Sequence, residues 1–156
     1  MQFKISKELL VQIEQLIHQK ADNELEILLN DMHHADIAEI FDELESEEAI
    51  YIFKIIDSEI TAEILTELED DVREKLLRGL SAKEIAEELD ELDTDDAADI
   101  IAELPQSKKE EVISELEDVE HAKDIVDLLR YDEDSAGGLM GKELVKVNEN
   151  WNVLTC

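Results

Sequence analysis

Apolar residues recur along this chain at a fixed step of twelve positions. The residues that mark the step are Met32, Leu44, Ile56, Leu68, Leu80, Leu92, Leu104, Leu116 and Leu128. A second apolar residue lies three positions before each of them, and in most units a third lies four positions before. Because spacings of three and four put side chains on one face of a helix, each unit predicts a short amphipathic helix.

One long helix cannot accommodate this repeat. Twelve residues at about 100° each leave successive apolar stripes about 120° apart, so the stripes would not share a seam. The helix must therefore break once per unit, and helices this short are unstable in water unless they stack. Six junction residues are predicted N-caps: Ser46, Ser58, Ser81, Thr94, Ser107 and Asp118. The repeat predicts an all-α superhelix of short antiparallel helices over residues 1–130, beginning with helices in residues 6–20 and 22–32.

The pattern changes after Tyr131. Residues 132–138 hold two of the four glycines and predict a loop, so residues 131–143 form a linker. Residues 144–147 alternate like a short strand, which predicts a strand-like tail over residues 144–156. Such a strand either pairs with the superhelix or begins a second domain, and we favour the second domain.

The charge of the chain narrows the classes of partner. Forty-four acidic residues against fourteen Lys and Arg give a formal net charge of −30. Such a surface repels nucleic-acid phosphates and anionic membranes, and it attracts cations or a basic protein. The single cysteine, Cys156, allows neither a disulfide framework nor a zinc cluster. No stretch of the sequence has the length and hydropathy of a membrane span.

Candidate chemistry is sparse, and the sequence does not predict an enzyme. It contains no Walker or GxGxxG motif, and nothing in it supports acid–base catalysis. The acidic cluster with the best geometry follows the predicted cap Thr94. Asp95 and Asp99 lie four residues apart, hence on one helix face, and two carboxylates at that spacing can share a hydrated Mg²⁺. On spacing alone, a capped helix start on an acidic surface is the favoured explanation of the cluster.

Residues 129–140, Leu-Arg-Tyr-Asp-Glu-Asp-Ser-Ala-Gly-Gly-Leu-Met, resemble a signature of the MgtE family of magnesium channels and transporters. In that family a Tyr-x-x-Asp-[Ser/Thr]-Ala-Gly-x-Leu-Met segment joins an acidic superhelix to a pair of CBS domains, and a transmembrane domain follows. The resemblance covers the whole chain, with residues 144–156 similar to the first strand of a CBS domain. It implies a fragment of a larger membrane protein, on the cytoplasmic side of the cell membrane.

The resemblance implies a Mg²⁺-sensing regulatory domain. Its ligands would be Asp95 and Asp99 in the stretch Leu92 to Asp99, with Asp96 adjacent, together with Glu63 and the backbone carbonyl of Gly138. The implied ion is regulatory and not catalytic. The implied partners are divalent cations and the CBS domains and transmembrane pore of the same polypeptide, in a homodimer, with no nucleic acid. Gly141-Lys142-Glu143 departs from the Thr-Pro or Thr-Thr that the family often has after this methionine.

An alternative from another class stays open at this point. Superhelices of short helices also serve as protein-interaction scaffolds, and the N-terminal region of the flagellar motor switch protein FliG resembles this one. Such a module would bind a basic or apolar partner without sensing ions. The linker motif argues against it, because a scaffold does not need that junction before a CBS-like strand.

Overall fold

The computed structural model describes residues 5–132 and 135–143. These residues form ten helices and no strand: α1 Lys7–Gln19, α2 Asp22–Asn30, α3 His34–Glu43, α4 Ser46–Phe53, α5 Ser58–Glu67, α6 Asp70–Gly79, α7 Ala82–Leu89, α8 Thr94–Glu103, α9 Gln106–Glu115 and α10 Val119–Leu128. The predicted all-α superhelix is confirmed, including its first two helices. The predicted strand-like tail over residues 144–156 lies outside the described residues.

Alternate helices pack on each other. Helix α5 lies between α3 and α7, and α7 also packs against α9. On the other side of the array α4 packs against α6, and α8 against α10. At the N-terminal end α1 packs against both α2 and α4. Helices of eight to ten residues gain their stability from these neighbours, since they cannot persist alone.

The twelve-residue repeat forms the core. Seven of the nine residues that mark the step are buried, and the other two, Met32 and Leu44, are half-buried and pack against the core. Of the nine residues three positions earlier, eight are buried and Ile113 packs at the edge. The two sets together supply about half of the buried apolar side chains. The pattern in the sequence therefore predicted this part of the core residue by residue.

Two of the six predicted N-caps are correct. The hydroxyl of Ser81 accepts a hydrogen bond from the amide of Glu84, whose carboxylate accepts from the Ser81 amide. The carboxylate of Asp118 accepts from the amides of Glu120 and His121. These bonds satisfy amides of the first helical turn, which have no partner within the helix.

The other four cap predictions are wrong by one or two positions. Ser46, Ser58 and Thr94 are the first residues of their helices, and Ser107 is the second residue of α9. The residues that take the N-cap position instead are Glu45, Asp57, Asp93 and Pro105. In three of these junctions an acidic residue precedes the Ser or Thr, and the chain enters the helix at that acidic residue.

Glu88 is a charged residue in an apolar position of the repeat. It lies four positions before Leu92, where the neighbouring units have Leu76 and Ile100. Its side chain is buried between α5 and α7, with 8% of the residue exposed. Burial is the main cause that raises the pKa of Glu88 to about 7; a hydrogen bond with Thr61 opposes the rise, and neighbouring carboxylates add to it.

The hydrogen bonds of Thr61 explain how this carboxyl group is accommodated. The Thr61 hydroxyl lies 3.2 Å from the carbonyl oxygens of Asp57 and Ser58 and also within hydrogen-bond distance of the Glu88 carboxyl. A hydroxyl has one proton and cannot donate to three oxygens. If Glu88 is protonated it donates to the Thr61 hydroxyl, which then donates to a carbonyl of its own helix.

Arg73 connects three parts of the superhelix. Its guanidinium forms a paired interaction with Glu103 of α8, with Nε–Oε2 and Nη2–Oε1 distances of 3.0 and 2.6 Å. It also donates to the carbonyl oxygens of Leu65 and Leu68 at the end of α5, and to Asp70. Only 11% of its side chain is exposed. Arg73 therefore fixes the α5–α6 turn to α8 with charge-assisted hydrogen bonds.

We predict that Glu88→Gln removes part of the pH dependence of stability. A carboxyl group whose pKa is higher in the folded state destabilises the fold as the pH rises from about 4.5 to about 7. The full difference corresponds to about 3 kcal/mol, as an upper estimate. Glutamine keeps a hydrogen bond to Thr61 without the charge, so the variant should exceed the wild type in urea stability at pH 8 and not at pH 4.5. Glu111→Gln, an exposed acid on α9, is the control, and equal gains in both variants would contradict the prediction.

Loss of Arg73 should destabilise the chain far more than loss of an exposed arginine. Arg73→Met leaves Glu103 and two carbonyl oxygens without their partner, which should cost about 2 kcal/mol or more in the free energy of unfolding. Arg78→Met removes an exposed ion pair with Glu74 and should cost less than about 1 kcal/mol. Chemical denaturation of the two variants at one pH measures the difference. Equal costs would show that the Arg73 interactions contribute little.

Candidate cation site between helix α8 and the linker

The two aspartates that the sequence singled out lie on α8, next to the linker. Asp95 is half-buried and Asp99 is exposed. A Cβ atom added at Gly141 would lie 3.5 Å from Oδ1 and 3.7 Å from Oδ2 of Asp95, and 3.1 Å from Oε2 of Glu143. Both carboxylates therefore border the same small space beside Gly141.

Asp99 and Gly138 share a cleft. It has a volume of about 380 Å³ and lies between α8, the end of α10 and the linker. Ala98, Leu128 and Tyr131 are among the other residues that line it. Three of the four predicted site residues, Asp95, Asp99 and Gly138, thus lie where the linker meets α8.

The charges around Asp99 disfavour its ionised form. Although Asp99 is exposed, partial desolvation by the surrounding protein is the main cause that raises its pKa, and the carboxylates of Asp95 and Glu103 raise it further. The guanidinium of Arg73 acts in the opposite direction without cancelling the rise. A divalent cation beside Asp99 would relieve this repulsion, as would a proton.

Glu63, the fourth predicted residue, lies on α5 and is exposed. Its negative charge acts on Asp96: burial raises the pKa of Asp96 most, the aspartates at positions 95, 93 and 99 raise it further, and Glu63 adds to the effect. The structure thus places Glu63 in the electrostatic environment of the acidic α8 segment, through Asp96.

The linker motif has a physical basis in two contacts. The Ser135 hydroxyl donates to the carbonyl oxygen of Asp132 at 2.6 Å and accepts from the Gly138 amide at 3.1 Å, which closes the turn. At Gly137 an added Cβ atom would lie 2.4 Å from the ring of Tyr131. A side chain there would displace the ring from the cleft wall, so this close approach requires glycine.

Sequence reasoning missed the two residues that hold the linker in place. The amide of Thr94 donates to the carboxylate of Glu143 at 2.8 Å, and the amide of Lys142 donates to the hydroxyl of Thr94 at 3.1 Å. The Lys142 ammonium binds Asp127 and lies 3.5 Å from Asp124, both on α10. No signal in the sequence pairs these residues, because almost fifty positions separate Thr94 from Glu143.

The donors present suit a hydrated ion more than a fully enclosed one. Among the residues described, no group of three or more His, Cys, Asp or Glu side chains is close enough to hold a metal ion. Mg²⁺ normally keeps several waters and uses one or two carboxylates. A cleft of about 380 Å³ has room for an ion with its water shell, since a water molecule takes up about 30 Å³.

A family model of the MgtE intracellular N domain matches residues 32–134. The chain belongs to this family. The match covers most of the superhelix and the start of the linker, and it confirms the resemblance seen in the sequence. Family membership also places the domain inside the cell, as predicted. In the described part of the chain, no helix is both long enough and apolar enough to cross a membrane.

Two solved structures share the fold. One is the soluble part of a magnesium transporter, with 23% identity and a TM-score of 0.77 over 89% of this chain and 55% of that one. The other is the cytosolic domain of the Mg²⁺ channel MgtE in complex with ATP, with 27% identity and a TM-score of 0.79 over 89% of this chain and 57% of that one. The chain therefore spans little more than half the length of these solved chains. No curated protein sequence matches it.

Proposed function

We propose that this domain senses intracellular Mg²⁺ and regulates a magnesium transporter or channel of the MgtE type. The observation that carries the proposal is the position of Asp95 and Asp99. Both lie on one face of α8, at the point where the linker leaves the superhelix, and Asp99 shares a cleft with Gly138. Membership of the MgtE intracellular N domain family supports the transporter context.

The proposed ligands are carboxylate oxygens of Asp95 and Asp99, with a further contribution from Gly138. Glu63 adds negative charge through its effect on Asp96. Oxygen donors of this kind suit Mg²⁺. Because the described residues supply only part of a coordination shell, we propose that a neighbouring CBS domain of the same polypeptide completes the site.

The proposed regulation follows from the charge of the domain. At low Mg²⁺ the acidic face of α8 repels a carboxylate-bearing neighbour, and the superhelix moves away from it. At high Mg²⁺ bound ions bridge the two surfaces and favour a closed pore. A shift from mostly open to mostly closed requires several kcal/mol of differential binding, so several ions must act together, in a transporter that we take to be a homodimer.

The alternative of an interaction scaffold, resembling the N-terminal region of FliG, is not favoured by these comparisons. The family match lies on an intracellular domain of MgtE, and both solved structures come from magnesium transport proteins. The cytosolic domain of MgtE is a regulatory domain of a transporter, and its family is not an enzyme family.

Substitution of the two α8 aspartates should weaken inhibition by intracellular Mg²⁺. In the full-length transporter, Asp95→Asn with Asp99→Asn should move the half-inhibitory Mg²⁺ concentration upwards by about tenfold, or about 1.4 kcal/mol of binding free energy. Flux at low Mg²⁺ should be unchanged, because these residues act on the closed state. Ion flux or patch current measured against internal Mg²⁺ gives both values.

A matched pair of acids on another helix provides the control. Glu111 and Glu115 are exposed on α9 with the same spacing of four residues. Glu111→Gln with Glu115→Gln removes the same charge and should leave the inhibition curve in place. An unshifted curve in the aspartate variant, or equal shifts in both variants, would contradict the assignment of the site.

A further inference from the structure

Residues 141–143 form a strap across two helices. On one side Glu143 and Lys142 bind the first residue of α8, and on the other side Lys142 binds Asp124 and Asp127 of α10. Only 19% of the Lys142 side chain is exposed. The strap thus fixes the end of the linker to the pair α8 and α10, which also pack against each other.

The strap completes the N-terminus of α8. The amide of Thr94 is the first of the helix and has no acceptor within it, and the side chain of the N-cap residue Asp93 makes no capping hydrogen bond. Glu143 supplies that acceptor from a position 49 residues away. Thr94 is 2% exposed, and its hydroxyl accepts from the Lys142 amide. A carboxylate at a helix N-terminus is favourable, since it satisfies a free amide and complements the helix dipole.

The surroundings of Glu143 have opposing effects on the pKa of its carboxyl group. Partial burial tends to raise its pKa, but the hydrogen bonds with Thr94 and the nearby His121 lower it overall. The carboxylate of Asp95 is also close to Glu143. Both carboxylates border the space beside Gly141, so their nearest oxygens lie within about 7 Å of each other, where like charges repel.

We propose that the strap is a cation-dependent latch: a divalent ion at Asp95 and Asp99 removes the repulsion on Glu143 and tightens residues 141–143 onto α8. Ion binding then fixes the direction in which the chain continues after Glu143. This inference rests on the proposed function, because it assumes that the ion binds at these aspartates. It adds that residues 141–143, at the end of the linker, respond to the ion.

The first experiment tests the strap without any ion. Hydrogen exchange of the Thr94 amide in the 156-residue chain, followed by NMR, reports the bond to Glu143. Glu143→Ala should accelerate this exchange by about tenfold or more, as expected for loss of a hydrogen bond to a charged group. Glu115→Ala on α9 is the control and should leave it unchanged. The amide of Ile64 in α5 monitors global opening. Unchanged Thr94 exchange in Glu143→Ala would overturn the strap.

The second experiment tests the coupling to the ion. In the wild type, MgCl₂ should slow Thr94 exchange relative to NaCl at equal ionic strength. In Asp95→Asn with Asp99→Asn the exchange should already be slow without Mg²⁺ and should not respond to it. Thermal melting under the same conditions separates the proposed ion site from the proposed latch. If Mg²⁺ stabilises the wild type and not the variant while Thr94 exchange is unchanged or faster, the latch is overturned and the site stands. If Mg²⁺ affects neither melting nor exchange, the latch is overturned and the Glu143→Ala result still decides the strap. The site, which we propose that a CBS domain completes, is then decided by the flux of the full-length variant Asp95→Asn with Asp99→Asn.

Discussion

The structure depends on the stacking of helices that are too short to be stable alone. From α3 onwards most helices pack against the helix two places along, and the twelve-residue step supplies many of the apolar side chains for these contacts. The polar positions of each unit are then free to carry charge, and in this chain that charge is overwhelmingly negative. The stacking must therefore hold an array of like charges together, which makes the few cationic and neutralising contacts important.

Two of those contacts lie beside α8. Arg73 binds Glu103 near one end of the helix, and Lys142 connects the linker to α10 beside the other. Between them the carboxyl groups of Asp96 and Asp99 have raised pKa values, and burial is the first cause in both. The ionised forms of two carboxyl groups are thus disfavoured at the place where the linker leaves the array. A cation bound there would act on both the superhelix and the linker.

The core was predictable from the sequence because the repeat is a local property of the chain. Spacings of three, four and twelve identify which side chains face inwards, and residues such as Phe41 and Leu89 are buried as the pattern requires. The caps were less predictable, because the choice between adjacent acidic and hydroxyl residues depends on how the chain enters the helix. At the start of α8, for example, Asp93 takes the N-cap position and Thr94 is the first residue of the helix.

The candidate site was predictable in part. Family resemblance pointed to Asp95, Asp99, Glu63 and Gly138, and the structure places three of these beside the linker. The role of Glu143 could not be found in the sequence, because its partner is the amide of a residue 49 positions earlier and its side chain type is common in this chain. Glu88 did leave a signal, since it interrupts the apolar position of the repeat.

The most direct test of the central claim is to locate the ion. Mn²⁺ has similar ligand preferences to Mg²⁺ and broadens the NMR signals of nearby amides, so a substoichiometric titration would show where the first ions bind. The account predicts that amides of Asp95, Asp99 and Gly138 broaden before those of exposed acids elsewhere, such as Glu24 and Glu115, and that excess Mg²⁺ reverses the effect. Uniform broadening over the acidic surface would contradict it, because the ions would then be bound only as a diffuse atmosphere around a chain of charge −30.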